Sequence, residues 1–185
     1  MILLYLELLN DRRLEIISKS DGDEKFSFDE IWIVYYYKKN QMTVFDDFLY
    51  EGLKSLQILL QRALNDEIEI TDENFVKGIG YEWNIISHKI ANDELNTLDT
   101  TSTYELWSTT NEYANSVWLY NYKGDIYLEV SPQYKWNYSE PEDEGYTVFE
   151  NFIGGYKYYD RIKIDRNRLL ECQHTVNEIL EHIRE

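Results

Sequence analysis

The clearest pattern of apolar and polar positions lies in residues 116–136, SVWLYNYKGDIYLEVSPQYKW. Val117, Leu119 and Asn121 alternate with Trp118, Tyr120 and Tyr122, and after Lys123-Gly124-Asp125 the alternation resumes as Ile126, Leu128 and Val130 against Tyr127, Glu129 and Ser131. A two-residue period of this kind marks a strand with two distinct faces. Gly124 supplies the positive φ a tight turn needs, so the stretch predicts a β-hairpin, aliphatic on one face and aromatic on the other, ended by Pro132.

The same reading extends along the chain. Residues 2–9 and 14–17 suit a first hairpin, with the apolar run of 2–9 also compatible with a short helix. SKSDGDE, 18–24, reads as a polar loop, and IWIVYYY, 31–37, as a strand by its β-branched and aromatic content. A long core helix is expected over about 43–64: Thr43 can cap it, Asp46 and Asp47 suit its first turn, and Phe45, Phe48, Leu49, Leu53, Leu56, Leu60 and Leu64 recur at three- and four-residue steps. Gly52 on that stripe signals close approach of a neighbour. Residues 67–70 and 75–86 read as strands around an acidic turn, with Gly78 and Gly80 marking a bulge. Residues 104–110 give a strand that joins the hairpin in an antiparallel meander.

Beyond the hairpin, SEPEDEG at 139–145 reads as an exposed acidic loop. A short helix is expected over about 146–154, built on Val148, Phe149, Phe152 and Ile153, then a strand at 161–164. Asp165 caps a C-terminal helix over about 166–184, whose apolar face is Leu169, Cys172, Val176, Ile179, Leu180 and Ile183. TVFDDF at 43–48 and TVFENF at 147–152 are alike and both fall at expected helix starts, which shared capping chemistry explains without duplication. The fold class is therefore α+β, mainly antiparallel sheet, in a single domain spanning 1–185.

Charge narrows the function. Asp and Glu number 35 against 18 Lys and Arg, a formal net charge of −17. That field repels nucleic acid and anionic membranes and speeds encounter with basic proteins, although surplus charge also serves solubility alone. A single cysteine, Cys172, gives no disulfide framework and fits a reducing compartment, so the expected location is the cytoplasm.

Catalytic signatures are few. His174 and His182 stand eight residues apart on the expected last helix, roughly 12 Å along its axis, too far to share a metal unaided. His88 stands alone, Cys172 sits on an apolar face, and Gly78-Ile79-Gly80 lacks the third glycine of a phosphate loop. No catalytic, cofactor-binding or metal-binding residue is assigned. Glu129 is the sharpest carboxylate, beside the rings of the hairpin, yet a glycosidase needs two; alone it reads as an outward-facing strand residue.

Aromatic residues next to acids remain. Tyr35-Tyr36-Tyr37, Tyr81-Glu82-Trp83, and above all Trp136 and Tyr138 followed by Glu140, Glu142, Asp143 and Glu144 combine interface anchors with an acidic rim. Those last six are the expected partner-binding residues. Together with EVSPQYKW (129–136), FENF (149–152) and Tyr156-Lys157, this acidic, motif-poor character resembles the immunity proteins that bacteria carry against their own polymorphic or contact-dependent toxins. The resemblance implies stoichiometric inhibition of a basic toxin, with no catalysis and no cofactor. A carbohydrate-active hydrolase with paired carboxylates in an aromatic cleft, and a structural adaptor, are the alternatives; the sequence assigns no oligomeric state.

Overall fold

The computed structural model describes residues 1–9, 11–20, 24–95, 99–109, 114–137, 141 and 145–184. Two four-stranded antiparallel sheets, both simple meanders, make an α+β fold. The first contains β1 (Ile2–Leu9), β2 (Arg12–Ser18), β3 (Glu30–Tyr37) and β4 (Asn40–Phe48) in that order. The second contains β5 (Glu105–Ser108), β6 (Asn115–Tyr122), β7 (Asp125–Pro132) and β8 (Asp160–Ile164).

Residues 43–48 correct the sequence reading. They belong to β4, in register with β3 from Glu30↔Phe48 to Tyr37↔Asn40, and helix α1 starts only at Leu49 (Leu49–Leu64). Thr43, Val44, Phe45 and Phe48 are β-branched or aromatic, and the IWIVYYY strand, paired with β2 on one edge, offers them on its other edge a ladder that a free helix terminus cannot match. Thr43 is therefore not a cap: Phe48 occupies that position and makes no capping bond. TVFDDF and TVFENF consequently occupy different structures, a strand and the lead into helix α4 (Phe149–Gly154).

Helix α1 is the common wall of the main core. It lies against β3, β4, β5 and β6, and against the C-terminal helix α5 (Arg166–His182). Leu53, Leu56 and Leu60 of α1 meet Leu14 and Ile33 of the first sheet, Leu119 and Leu128 of the second, and Leu169 and Val176 of α5 in one cluster. Each such side chain contributes roughly 1.5–3 kcal/mol on burial. Gly52 is where α1 comes closest to the first sheet: an added Cβ would stand 2.9 Å from the Phe45 ring and 3.1 Å from Ile31, and the Gly52 carbonyl accepts from Trp107 Nε1 at 3.0 Å.

The second correction concerns residues 71–91, which form helices, not strands. Thr71 caps α2 (Asp72–Lys77), its hydroxyl accepting from the Asn74 amide at 3.2 Å, and α3 (Ile79–Ala91) follows after Gly78 at φ +97°. What reads as an acidic turn is a cap with Asp72 and Glu73 in the first turn, where the helix dipole favours them. Both helices lie over the aromatic face of the second sheet, so that face is a second core containing Ile70, Ile79, Trp118 and Tyr120. Asp165 caps α5, accepting from the Asn167 and Arg168 amides. No helix among the described residues is long and apolar enough to cross a membrane.

Candidate functional site

Glu129 lies at the centre of this second core. Its strand parity points it at α2 and α3, and it has no solvent exposure. Oε1 accepts from the Gly80 amide at 3.1 Å; Oε2 accepts from Tyr120 Oη at 2.9 Å and from Arg161 Nη2 and Nε at 2.7 and 3.1 Å. Arg161 stands directly opposite on β8 and spends its other terminal nitrogen on the Phe75 carbonyl at 2.6 Å, with the Phe75 and Tyr158 rings 4.6 and 4.2 Å from its guanidinium carbon. Burial disfavours the Arg161 charge, but the facing Glu129 carboxylate outweighs that and the guanidinium is held more firmly protonated than usual.

The outward-facing role expected for Glu129 is thus wrong, because helices cover what reads as the exposed face. Both its oxygens are committed inside the protein, which leaves it no opening to a sugar. The residue that completes the pair, Arg161, comes from a strand 32 positions later. Its alternation within DRIKI was the only sequence signal available.

Trp118, Ser131 and Tyr156 lie next to this network, Ser131 and Tyr156 against Gly80. Trp118 Nε1 donates to Ser131 Oγ at 2.8 Å. The Tyr156 hydroxyl lies beside Ser131, buried, and makes no hydrogen bond within good geometry. Burial, reinforced by the Glu129 charge, raises the Tyr156 and Tyr120 phenols well above the usual tyrosine range. Gly80 must be glycine here: a Cβ would meet Ser131 Oγ, the Tyr156 hydroxyl at 2.5 Å and Ser131 Cβ at 2.7 Å.

The chain leaving β7 is fixed by Asn84 of α3, which is fully buried. Its amide donates to the Gly80 and Pro132 carbonyls at 2.7 and 3.0 Å, and its Oδ1 accepts from the Tyr134 amide at 2.6 Å. From there an aromatic cluster spreads between α3 and α4. His88 stacks on Phe149 with ring centroids 3.6 Å apart, Tyr134 meets Phe149 and Phe152 at 5.2 and 5.4 Å, and Phe152 leads to Tyr156 and Tyr81. Both ring nitrogens of His88 are hydrogen-bonded, Nδ1 with Asn137 Oδ1 at 3.0 Å and Nε2 with the Asn92 side-chain amide at 3.2 Å.

Trp136 sits at the edge of this cluster, half-buried, with the Tyr146 ring edge-on at 6.5 Å and the Lys135 ammonium 4.7 Å from its own ring. Residues 136 and 146 therefore bracket the acidic stretch and stand together. The other expected partner-binding residues, Tyr138, Glu140, Glu142, Asp143 and Glu144, lie outside the described residues.

Among the described residues, no three of His, Cys, Asp and Glu are grouped to hold a metal. His174 and His182 both turn to Glu178, the first to its carboxylate at 3.3 Å and the second to its carbonyl at 2.6 Å. Comparison with protein-family models, with curated proteins and with solved structures gives no significant match.

Proposed function

We propose that this chain is an acidic binding protein that acts in the cytoplasm, neutralising a basic protein by stoichiometric occlusion in the manner of the immunity proteins it resembles. The observation that carries the reading is the contact between Trp136 and Tyr146, at 6.5 Å, across a stretch containing Glu140, Glu142, Asp143 and Glu144. Aromatic rings at both ends of an acidic segment, seated on a packed α3–α4 cluster, combine anchors that lose little entropy on binding with charges that steer a cation. A net charge of −17 extends that steering over the whole molecule.

Growth of cells expressing a basic toxin that co-purifies with this chain tests the reading. Co-expression should restore growth, and the variant with all four acids neutralised should restore it less. Loss of protection without loss of folding would tie inhibition to this segment; undiminished killing by the wild-type pair would refute the proposal.

A second reading, a structural adaptor, rests on a different surface. Phe28 is 72% exposed and, with Phe48, Tyr50, Leu180 and Ile183, lines an open apolar groove between the start of β3 and the end of α5. A partner bound there would be insensitive to salt and to the four acids, which separates the two readings.

A further inference from the structure

Among the described residues, strand β1 has a hydrogen-bonded neighbour strand on one side only. Its sequence, ILLYLELL, has one charge and no proline, and Ile2, Tyr5 and Leu9 are 53%, 56% and 42% exposed. Sheets ordinarily protect such an edge with charge, proline, a bulge or a covering element; β1 shifts register against β2 between Ile2 and Leu4 and between Glu7 and Leu9, and pairs regularly from Leu4 to Glu7. Here the space beside it is a trough whose other wall is α5. Leu4, Tyr5, Leu6 and Glu7 face Arg168, Glu171 and Thr175, and a second open pocket that shares Thr175 lies beyond it, lined by Met1, Leu3, Glu178 and Ile179. Residues of both parities of β1 line the trough, which places it alongside the strand and not over one face. Arg168 already uses the backbone there, Nη1 donating to the Glu7 carbonyl at 2.7 Å.

The charge of the trough selects its occupant. Its arginines are engaged, Arg168 with Glu7 at 3.9 Å and Arg184 with Glu24 at 2.8 Å, and Lys25 has a partner of its own. Among the described residues Glu171 has no ion pair, and the Glu178 carboxylate is paired only with the exposed His174. These two glutamates are seven residues apart on α5, about 10 Å along its axis. Strand residues on one face recur roughly every 6.6 Å, so basic side chains two or four positions apart bracket that spacing. A second copy of β1 would bring no cation, only another glutamate.

We propose that this trough takes an extended segment of a partner protein by strand addition to β1, with apolar side chains beside Tyr5 alternating with lysine or arginine directed at Glu171 and Glu178. The added strand gains main-chain hydrogen bonds from β1 and specificity from α5. This surface is separate from the segment bracketed by Trp136 and Tyr146, and either can fail without the other.

The full chain, isotopically labelled, is titrated with the peptide acetyl-VKVKVKV-amide and with a peptide of equal charge in which the two inner valines are proline. The first should shift the backbone amides of residues 3–7, and the second should bind about thirtyfold more weakly, since it lacks two ladder donors worth about 1 kcal/mol each. Glu171→Lys with Glu178→Lys, both on the helix surface, should weaken the first peptide at least as much, whereas neutralising Glu140, Glu142, Asp143 and Glu144 should leave the residue 3–7 shifts in place. No binding at millimolar peptide, equal binding of the two peptides, or shifts confined to other residues would overturn the proposal. So would sedimentation as a dimer whose β1 amides are already protected without peptide, which would give the edge to a second copy.

Discussion

Glu129 and Arg161 face each other from paired positions on β7 and β8, 2.7 Å apart, with the carboxylate wholly buried and the guanidinium nearly so. The pair joins the second sheet to both helices above it, because Glu129 also holds the Gly80 amide and Arg161 the Phe75 carbonyl. Removing one partner strands a buried charge. Arg161→Leu should therefore cost about 3–5 kcal/mol in urea unfolding, and Glu129→Gln added to it should recover a large part. A cost under about 1 kcal/mol for the single change would mean that water reaches the carboxylate.

Gly80 and Gly154 should respond oppositely to alanine. At Gly80 the methyl group collides with Ser131 and Tyr156, so Gly80→Ala should lose about 1–3 kcal/mol despite the better helix propensity. At Gly154, in α4, nothing lies within 4 Å of the new methyl, and Gly154→Ala should be neutral or gain up to about 1 kcal/mol. Paired denaturation curves test both, and equal effects would contradict the close approach of α3 to β7.

The hairpin at 116–132 was legible because its period of two is unbroken and its turn contains a glycine. The same pattern could not show that its aromatic face is roofed by helices, so Glu129 read as exposed. The roof itself was misread for a local reason: FVKGIGYEWNII is rich in β-branched and aromatic residues, while the helical signals, the Thr71 cap and the four-residue step from Ile79 to Trp83, are brief. At 43–48 the opposite error arose, where spacing favoured a helix and pairing with β3 decided for a strand. Arg12 and Tyr35 both binding Asp160, a contact that ties the first sheet to the second, spans more than a hundred positions and leaves no trace in the sequence.

Alkaline titration should expose the buried phenols. Tyr35, Tyr120 and Tyr156 are each pushed above the ordinary value of 10.0, first by burial and then by Asp160 or Glu129. In the unfolded chain these groups release their protons near pH 10, whereas the folded protein retains them. The folded state then binds more protons, so stability falls as pH rises above about 10. Phenolate absorbance should show these three of 17 tyrosines ionising together with unfolding. Smooth titration of all 17 in the folded protein would contradict the burial.

Cys172 is the sole cysteine, and burial pushes its thiol up to about 12. A thiol reagent at neutral pH should label the native protein only as fast as the α5 region opens, and label it rapidly in denaturant. Rapid labelling of the native form would place α5 off the core.

The proposal that acidity is directed at a cationic partner is tested by the association rate with a basic protein, measured at increasing salt. The rate should fall steeply as salt rises, and neutralising Glu140, Glu142, Asp143 and Glu144 should lower it at low salt and flatten the dependence. A rate indifferent both to salt and to the loss of those four charges would contradict the account.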